Sequence, residues 1–138
     1  MPALTGVLET SLWVDDTQRS GDFYRRILKF KTLVGDERLC ALAVGEHQVL
    51  LLFKKGASLE PIQRPGGTLP GGIDAAGRTH LTFAIPAKEY DNWKLWLTQN
   101  GIHIESEVKW ERGGRSLYFR DPDQHSLELA TPGTWEIY

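Results

Sequence analysis

Glu128 is an acid in the middle of an alternating run, Ser126-Leu-Glu-Leu-Ala. Glutamate has low β propensity, and the flanking leucines argue that the run is buried. A half-buried strand carboxylate requires a donor, a cation or a metal. Two other metal-capable side chains hold comparable places: Glu9 opens Glu9-Thr-Ser-Leu-Trp-Val, and His80 opens His80-Leu-Thr-Phe-Ala-Ile. These two runs superimpose, with Leu12 on Phe83 and Val14 on Ile85, so that Glu9 falls on His80. Two carboxylates and one imidazole balance a divalent charge and leave positions open for water or substrate. Such oxygen-rich ligation suits Mn²⁺, Fe²⁺ or Mg²⁺, with Zn²⁺, Co²⁺ and Ni²⁺ as further candidates. Without a metal the carboxylates would repel each other unless one held a proton. Glu128 and Glu9 are also the candidate catalytic groups for moving a proton.

The elements that must position these groups follow from hydrophobic period and turn chemistry. Val7 to Val14 alternates as a strand, with Leu8, Leu12 and Val14 opposite Glu9, Ser11 and Trp13. Asp15 or Asp16 can cap a helix over about 17–28, in which Phe23, Tyr24, Ile27 and Leu28 recur at helical spacing. Gly21 within it would allow close packing on a sheet. Leu39 to Val44 and Gln48 to Phe53, joined by Gly45-Glu46-His47, read as a hairpin. From Lys55 to Arg78, glycines and prolines leave no period of either kind, which predicts a long functional loop.

The plan then restarts. Thr79 to Ile85 is a strand, Pro86 suits the first turn of a second helix, and Asn100-Gly101 suits its left-handed cap. Tyr90, Trp93, Trp96 and Leu97 form one stripe of that helix, and the two tryptophans are expected to pack on a sheet. Ile102 to Val108 reads as a strand, and a closing hairpin flanks Asp121-Pro-Asp. Within that hairpin Ser116, Tyr118 and Arg120 share the parity of Glu128, so together with Trp13 they are candidate substrate-binding side chains. Arg115, beside Gly113-Gly114, could bind an anion or gate the site. His47, His103 and His125 lie at turns or a strand start and are expected to face solvent.

Composition narrows the partners. The 138 residues form one domain's worth of chain, with 41% hydrophobic and 25% charged residues, ordinary values for a globular protein. Sixteen basic against eighteen acidic residues, with no basic run longer than a pair, argue against nucleic acid. No apolar run approaches the length of a membrane span. A single cysteine excludes an intramolecular disulfide, and the start Met-Pro-Ala-Leu-Thr lacks the plan of a signal peptide, so a cytoplasmic location is expected.

Leu8-Glu-Thr-Ser-Leu-Trp-Val-Asp-Asp, Phe23-Tyr24 with Leu28, Thr79-His-Leu-Thr-Phe-Ala-Ile-Pro and Ser116 through Ala130 together resemble the vicinal oxygen chelate superfamily. Its members include glyoxalase I, ring-cleaving dioxygenases, fosfomycin-resistance enzymes and bleomycin-resistance proteins. The resemblance implies an α+β fold of paired βαβββ modules, with a curled mixed sheet around a central cavity. Module one would span about 6–55, the Gly/Pro-rich loop about 56–78 and module two about 79–131, within a single glyoxalase-like domain over 1–138. It also implies a homodimer, a divalent metal held by Glu9, His80 and Glu128, and Ser116 and Tyr118 at substrate-facing positions.

Two departures stand out. The fourth ligand of glyoxalase I would fall at Leu50 or Leu51, and position 9 carries Glu where the family often has His. The expectation is a metalloenzyme acting on a small substrate chelated through vicinal oxygens, of lyase or isomerase type. The alternatives are a metal-free small-molecule binder of the bleomycin-resistance type, and a dioxygenase or fosfomycin-resistance-like transferase.

Overall fold

Of the two aspartates expected to cap the first helix, Asp16 does so. Its extended backbone leaves the side chain free to accept from the Gln18 and Arg19 N–H groups at 2.9 Å each. The Arg19 N–H is the main reason its carboxyl lies below the usual range. The computed structural model describes all of residues 1–138 and divides into two units, Met1–Gly77 and Arg78–Tyr138.

The first unit contains β1 (Glu9–Val14), α1 (Thr17–Leu28), β2 (Lys31–Gly35), β3 (Leu39–Val44) and β4 (Gln48–Lys54). Its sheet has the order β1-β4-β3-β2, with β1 parallel to β4 and the other pairs antiparallel. Arg25 and Arg26 suit the negative end of α1, and Lys29 closes it at a left-handed φ of 60°. At Gly21 an added Cβ would lie 3.2 Å from the Cys40 Sγ, so the missing side chain lets α1 approach β3. Leu12, Val14, Leu42, Leu50 and Leu52 of the sheet and Tyr24 and Ile27 of α1 form the buried layer. Each such side chain contributes about 1.5–3 kcal/mol over its exposed state.

Two features depart from the pattern-based reading. The third strand that a βαβββ module requires after its helix is β2, to which no run had been assigned, and 56–78 is not wholly irregular, because β5 (Ile62–Arg64) and β6 (Gly67–Leu69) pair there as a short antiparallel hairpin.

The second unit repeats the plan: β7 (His80–Ala84), a 3₁₀ turn at Ala87–Glu89, α2 (Tyr90–Gln99), β8 (Ser106–Lys109), β9 (Arg115–Arg120) and β10 (Ser126–Ala130). The strand expected from residue 102 begins only at Ser106. Its sheet order is β7-β10-β9-β8, again with first and last strands parallel. Leu117, Phe119, Leu127 and Leu129 are buried on one face of this sheet. Gly101, at φ 73°, lets the Ile102 N–H reach the Leu97 carbonyl at 2.9 Å and close α2.

On α2 the fully buried residues are Tyr90 and Leu97, while Trp93 and Trp96 are half-buried. Tyr90 donates to Glu107 Oε2 at 3.0 Å and to the Ser116 carbonyl at 3.3 Å. Burial, and then Glu107, push its phenol up to about 12. No helix is long and apolar enough to cross a membrane.

Candidate metal centre

The parallel register of β7 and β10 sets Ser126 opposite His80 and Glu128 opposite Thr82. Because side chains alternate, His80, Thr82, Ser126 and Glu128 share the sheet face opposite the leucines. Glu128 is only 5% exposed. Thr82 donates to its Oε2 at 2.8 Å, and the His80 Nε2 stands 3.2 Å from the same oxygen. Thr82 escaped the sequence reading, although its position two residues after His80 was the available signal.

The protons in this cluster are what matter chemically. His80 Nδ1 lies 3.0 Å from the Ser126 carbonyl, an acceptor only, so that nitrogen carries the hydrogen. A neutral imidazole then aims its Nε2 lone pair at the carboxylate. The Thr82 hydroxyl lies 3.1 Å from this nitrogen, but its single hydrogen is directed to Glu128. Glu128 Oε1 is buried and makes no hydrogen bond of ordinary geometry. Lone pairs therefore face one another with too few protons to share, an arrangement satisfied by an imidazolium or by a cation. An imidazole that ligates through one nitrogen while donating from the other to a carbonyl fits a metal ligand.

Tyr118 sits opposite Glu128 in the antiparallel pairing of β9 with β10, and its ring stacks on His80 with centroids 6.1 Å apart. Burial, and then Glu128, hold its phenol above the usual range. Arg120 shares this face; its guanidinium is held bidentately by Glu105 at 2.6 and 3.0 Å and also reaches the Gln124 carbonyl. Arg120 is thus the main reason the Glu105 carboxyl lies below its usual range. Ser116 also shares the face but is fully buried, its hydroxyl accepting from Trp110 Nε1 at 2.8 Å. Arg115 lies on the other parity of β9. It stands 3.6 Å over the Tyr90 ring and pairs with Asp91 at 3.2 Å, so α2 engages it and not the face of Glu128.

In the first unit Glu9 begins β1 and is exposed, and Trp13 is half-buried and stacked on Phe53 at 5.6 Å. The register pairs Ser11 with Leu51, so Leu51 occupies the place that Glu128 holds in the second unit. The missing fourth carboxylate is therefore at Leu51, not Leu50. No group of three or more His, Cys, Asp or Glu side chains able to hold a metal forms within the chain.

The expectation that His125 faces solvent is overturned: it is 1% exposed. Its Nδ1 accepts from the Thr79 N–H at 3.0 Å, a partner 46 residues away that turn position alone could not reveal. His47 and His103 are exposed as expected.

Over most of its length the chain is similar to known proteins. A metallothiol transferase FosB from Staphylococcus saprophyticus is 31% identical over 119 residues, covering 86% of this chain and 71% of that protein. A glutathione transferase FosA from Serratia marcescens is 28% identical over 119 residues, covering 86% and 75%. The crystal structure of a lactoylglutathione lyase from Agrobacterium tumefaciens superimposes with a TM-score of 0.87 at 27% identity, covering 98% of this chain and 99% of that one. The family model for the Glyoxalase/Bleomycin resistance protein/Dioxygenase superfamily matches residues 6–129, and the chain belongs to that superfamily.

Proposed function

We propose that this protein is a divalent-metal enzyme that joins a thiol to a small substrate chelated through vicinal oxygens. The observation that supports it most is the His80–Glu128 pair, with Nδ1 tied to a carbonyl, Nε2 at 3.2 Å from Oε2 and a buried Oε1 that makes no hydrogen bond of ordinary geometry although the Tyr118 phenol stands close by. Glu9 is the third ligand in this reading, delivered in a homodimer. Thiol chemistry is favoured because the transferase relatives and the lyase neighbour are all named for thiols. This moves the reading from the lyase or isomerase expected from sequence towards a transferase.

In the proposed step, a thiolate sulfur forms a bond to an electrophilic carbon of the substrate. A carbon–oxygen bond breaks, its electron pair goes to oxygen, and that oxygen takes a proton. A divalent metal, when bound, supplies positive charge at the oxygens. Tyr118, held protonated, can donate a hydrogen bond to an oxygen near Glu128. Thr82 keeps the Glu128 carboxylate oriented.

A metal-free binding role is the competing reading, and it draws on the stacked Trp13–Phe53 pair as a wall for a sequestered ligand. The deciding assay incubates metal-loaded and chelator-treated protein with a thiol and a small oxygenated electrophile such as an epoxide, with mass spectrometry for the adduct. Adduct formed only by the loaded protein supports the transferase. Isomerisation of a thiol–aldehyde adduct in its place would restore the lyase or isomerase. Tight binding with no turnover under either condition would establish the binder.

A further inference from the structure

His125 is the one histidine that neither its turn position nor the proposed chemistry accounts for. It is 1% exposed, yet it ends the Asp-Pro-Asp-Gln turn that enters β10. Asp121 Oδ1 accepts from the His125 backbone N–H at 2.8 Å and from the Asp123 N–H at 3.0 Å, which fixes the backbone from which the imidazole projects. The imidazole Nδ1 then lies 3.0 Å from both the Thr79 N–H and the Thr79 hydroxyl. A hydrogen on Nδ1 would oppose the Thr79 N–H, so His125 is held as the Nε2–H tautomer.

Thr79 is the residue before His80, and Ser126 is the residue after His125. The Ser126 N–H donates to the Thr79 carbonyl at 2.8 Å, and the Ser126 carbonyl is the acceptor for His80 Nδ1. His125 therefore clamps the start of β7 to the start of β10 at the point where the direction and tautomer of His80 are decided. We infer that His125 is a positioning residue: its Nδ1 acceptor holds Thr79 so that His80 keeps Nδ1–H on Ser126 and Nε2 towards Glu128. The hydrogen-bond geometry stands by itself, while its consequence for metal affinity rests on the function proposed above. Losing a partner that orients a ligating histidine typically lowers metal affinity 10–100-fold.

The inference separates cleanly from simple core filling. Asn at position 125 is smaller than His but can place its Oδ1 where Nδ1 accepts, whereas Leu fills volume and accepts nothing. The test uses the full-length protein as wild type, His125→Asn and His125→Leu. At one neutral pH, ¹⁵N-histidine spectra report tautomers without metal, and calorimetric Zn²⁺ titrations report affinity.

The expected wild-type spectrum shows His125 as Nε2–H and a hydrogen fixed on His80 Nδ1. His125→Leu should mix the His80 tautomers and weaken Zn²⁺ binding about 10–100-fold. His125→Asn should restore the His80 tautomer and affinity to within about threefold of wild type. Wild-type His125 found as Nδ1–H would overturn the inference with no variant needed, which covers the case of a variant that does not fold. An Asn variant no better than Leu, or a Leu variant indistinguishable from wild type, would also overturn it. A wild type that binds no Zn²⁺ while the tautomers behave as expected removes the metal reading and leaves the positioning role standing.

Discussion

The sheet of the first unit and that of the second share one strand order, one parallel pair and one helix after the opening strand, yet they present different faces. On the first, Glu9 is followed by Ser11 and Trp13, and the partner strand brings Val49, Leu51 and Phe53 to the same side. On the second, His80 and Thr82 meet Ser126 and Glu128, with Tyr118 and Arg120 beside them. The buried layers on the opposite faces are alike, with Leu50 and Leu52 in β4 matched by Leu127 and Leu129 in β10. The repeat preserves what folds the chain, while hydroxyl, imidazole and phenol side chains gather on one copy of it. Sites, not scaffolds, decide activity.

Changes to the shared layers should have the largest effect. Leu50→Ala and Leu127→Ala each remove a fully buried side chain from a central strand of its sheet, and each should cost about 2–5 kcal/mol in urea unfolding. Costs within about 1 kcal/mol of each other would support the equivalence of the two layers, and a several-fold disparity would break it.

Exchanging the residues that differ should matter less and in opposite directions. Glu128→Leu places the first unit's residue in the second and removes a buried carboxylate oxygen without a hydrogen bond. Stability should rise by about 1 kcal/mol or stay unchanged while metal binding is lost. Leu51→Glu puts a carboxylate on the apolar face and should cost about 1–3 kcal/mol. If Glu128→Leu proved as costly as a core truncation, the carboxylate would have to be structural.

The smallest effect expected is on the pH profile of the second unit. The Lys94 ammonium, and then Tyr90, hold the Glu107 carboxyl below its ordinary 4.5, so the stability it contributes is present above that value and fades as pH falls through the folded value. Tyr90 is raised from 10.0 to about 12, so its contribution is intact below pH 10 and fades as pH rises towards 12. Tyr90→Phe should flatten the alkaline limb of a melting-temperature profile. An unchanged alkaline limb in that variant would place the sensitivity elsewhere.

Much of this contrast was legible in the sequence where local chemistry decides structure. Asp15-Asp16 marked the start of α1, Asn100-Gly101 marked the end of α2, and the alternation in β1, β7 and β10 separated the leucine faces from Glu9, His80 and Glu128. β2 was hidden because every residue in it is exposed and a register shift between Thr32 and Val34 breaks its alternation. β5 and β6 are three residues each, too short for a period to show. The burial of His125 and the turning of Arg115 towards Tyr90 depend on partners distant in sequence, which spacing cannot supply. The choice between Leu50 and Leu51 needed the register of β4 against β1.

The central claim is that the His80–Glu128 pair is half of a metal site rather than a self-contained ion pair. Elemental analysis of protein purified without chelators, followed by Mn²⁺ and Zn²⁺ titration of wild type and Glu128→Gln, tests it directly. Wild type should bind about one equivalent per chain, and Glu128→Gln should show at least a tenfold weaker dissociation constant with the circular dichroism spectrum unchanged. Wild-type protein that binds neither ion, or a Glu128→Gln variant that binds both as tightly as wild type, would contradict it.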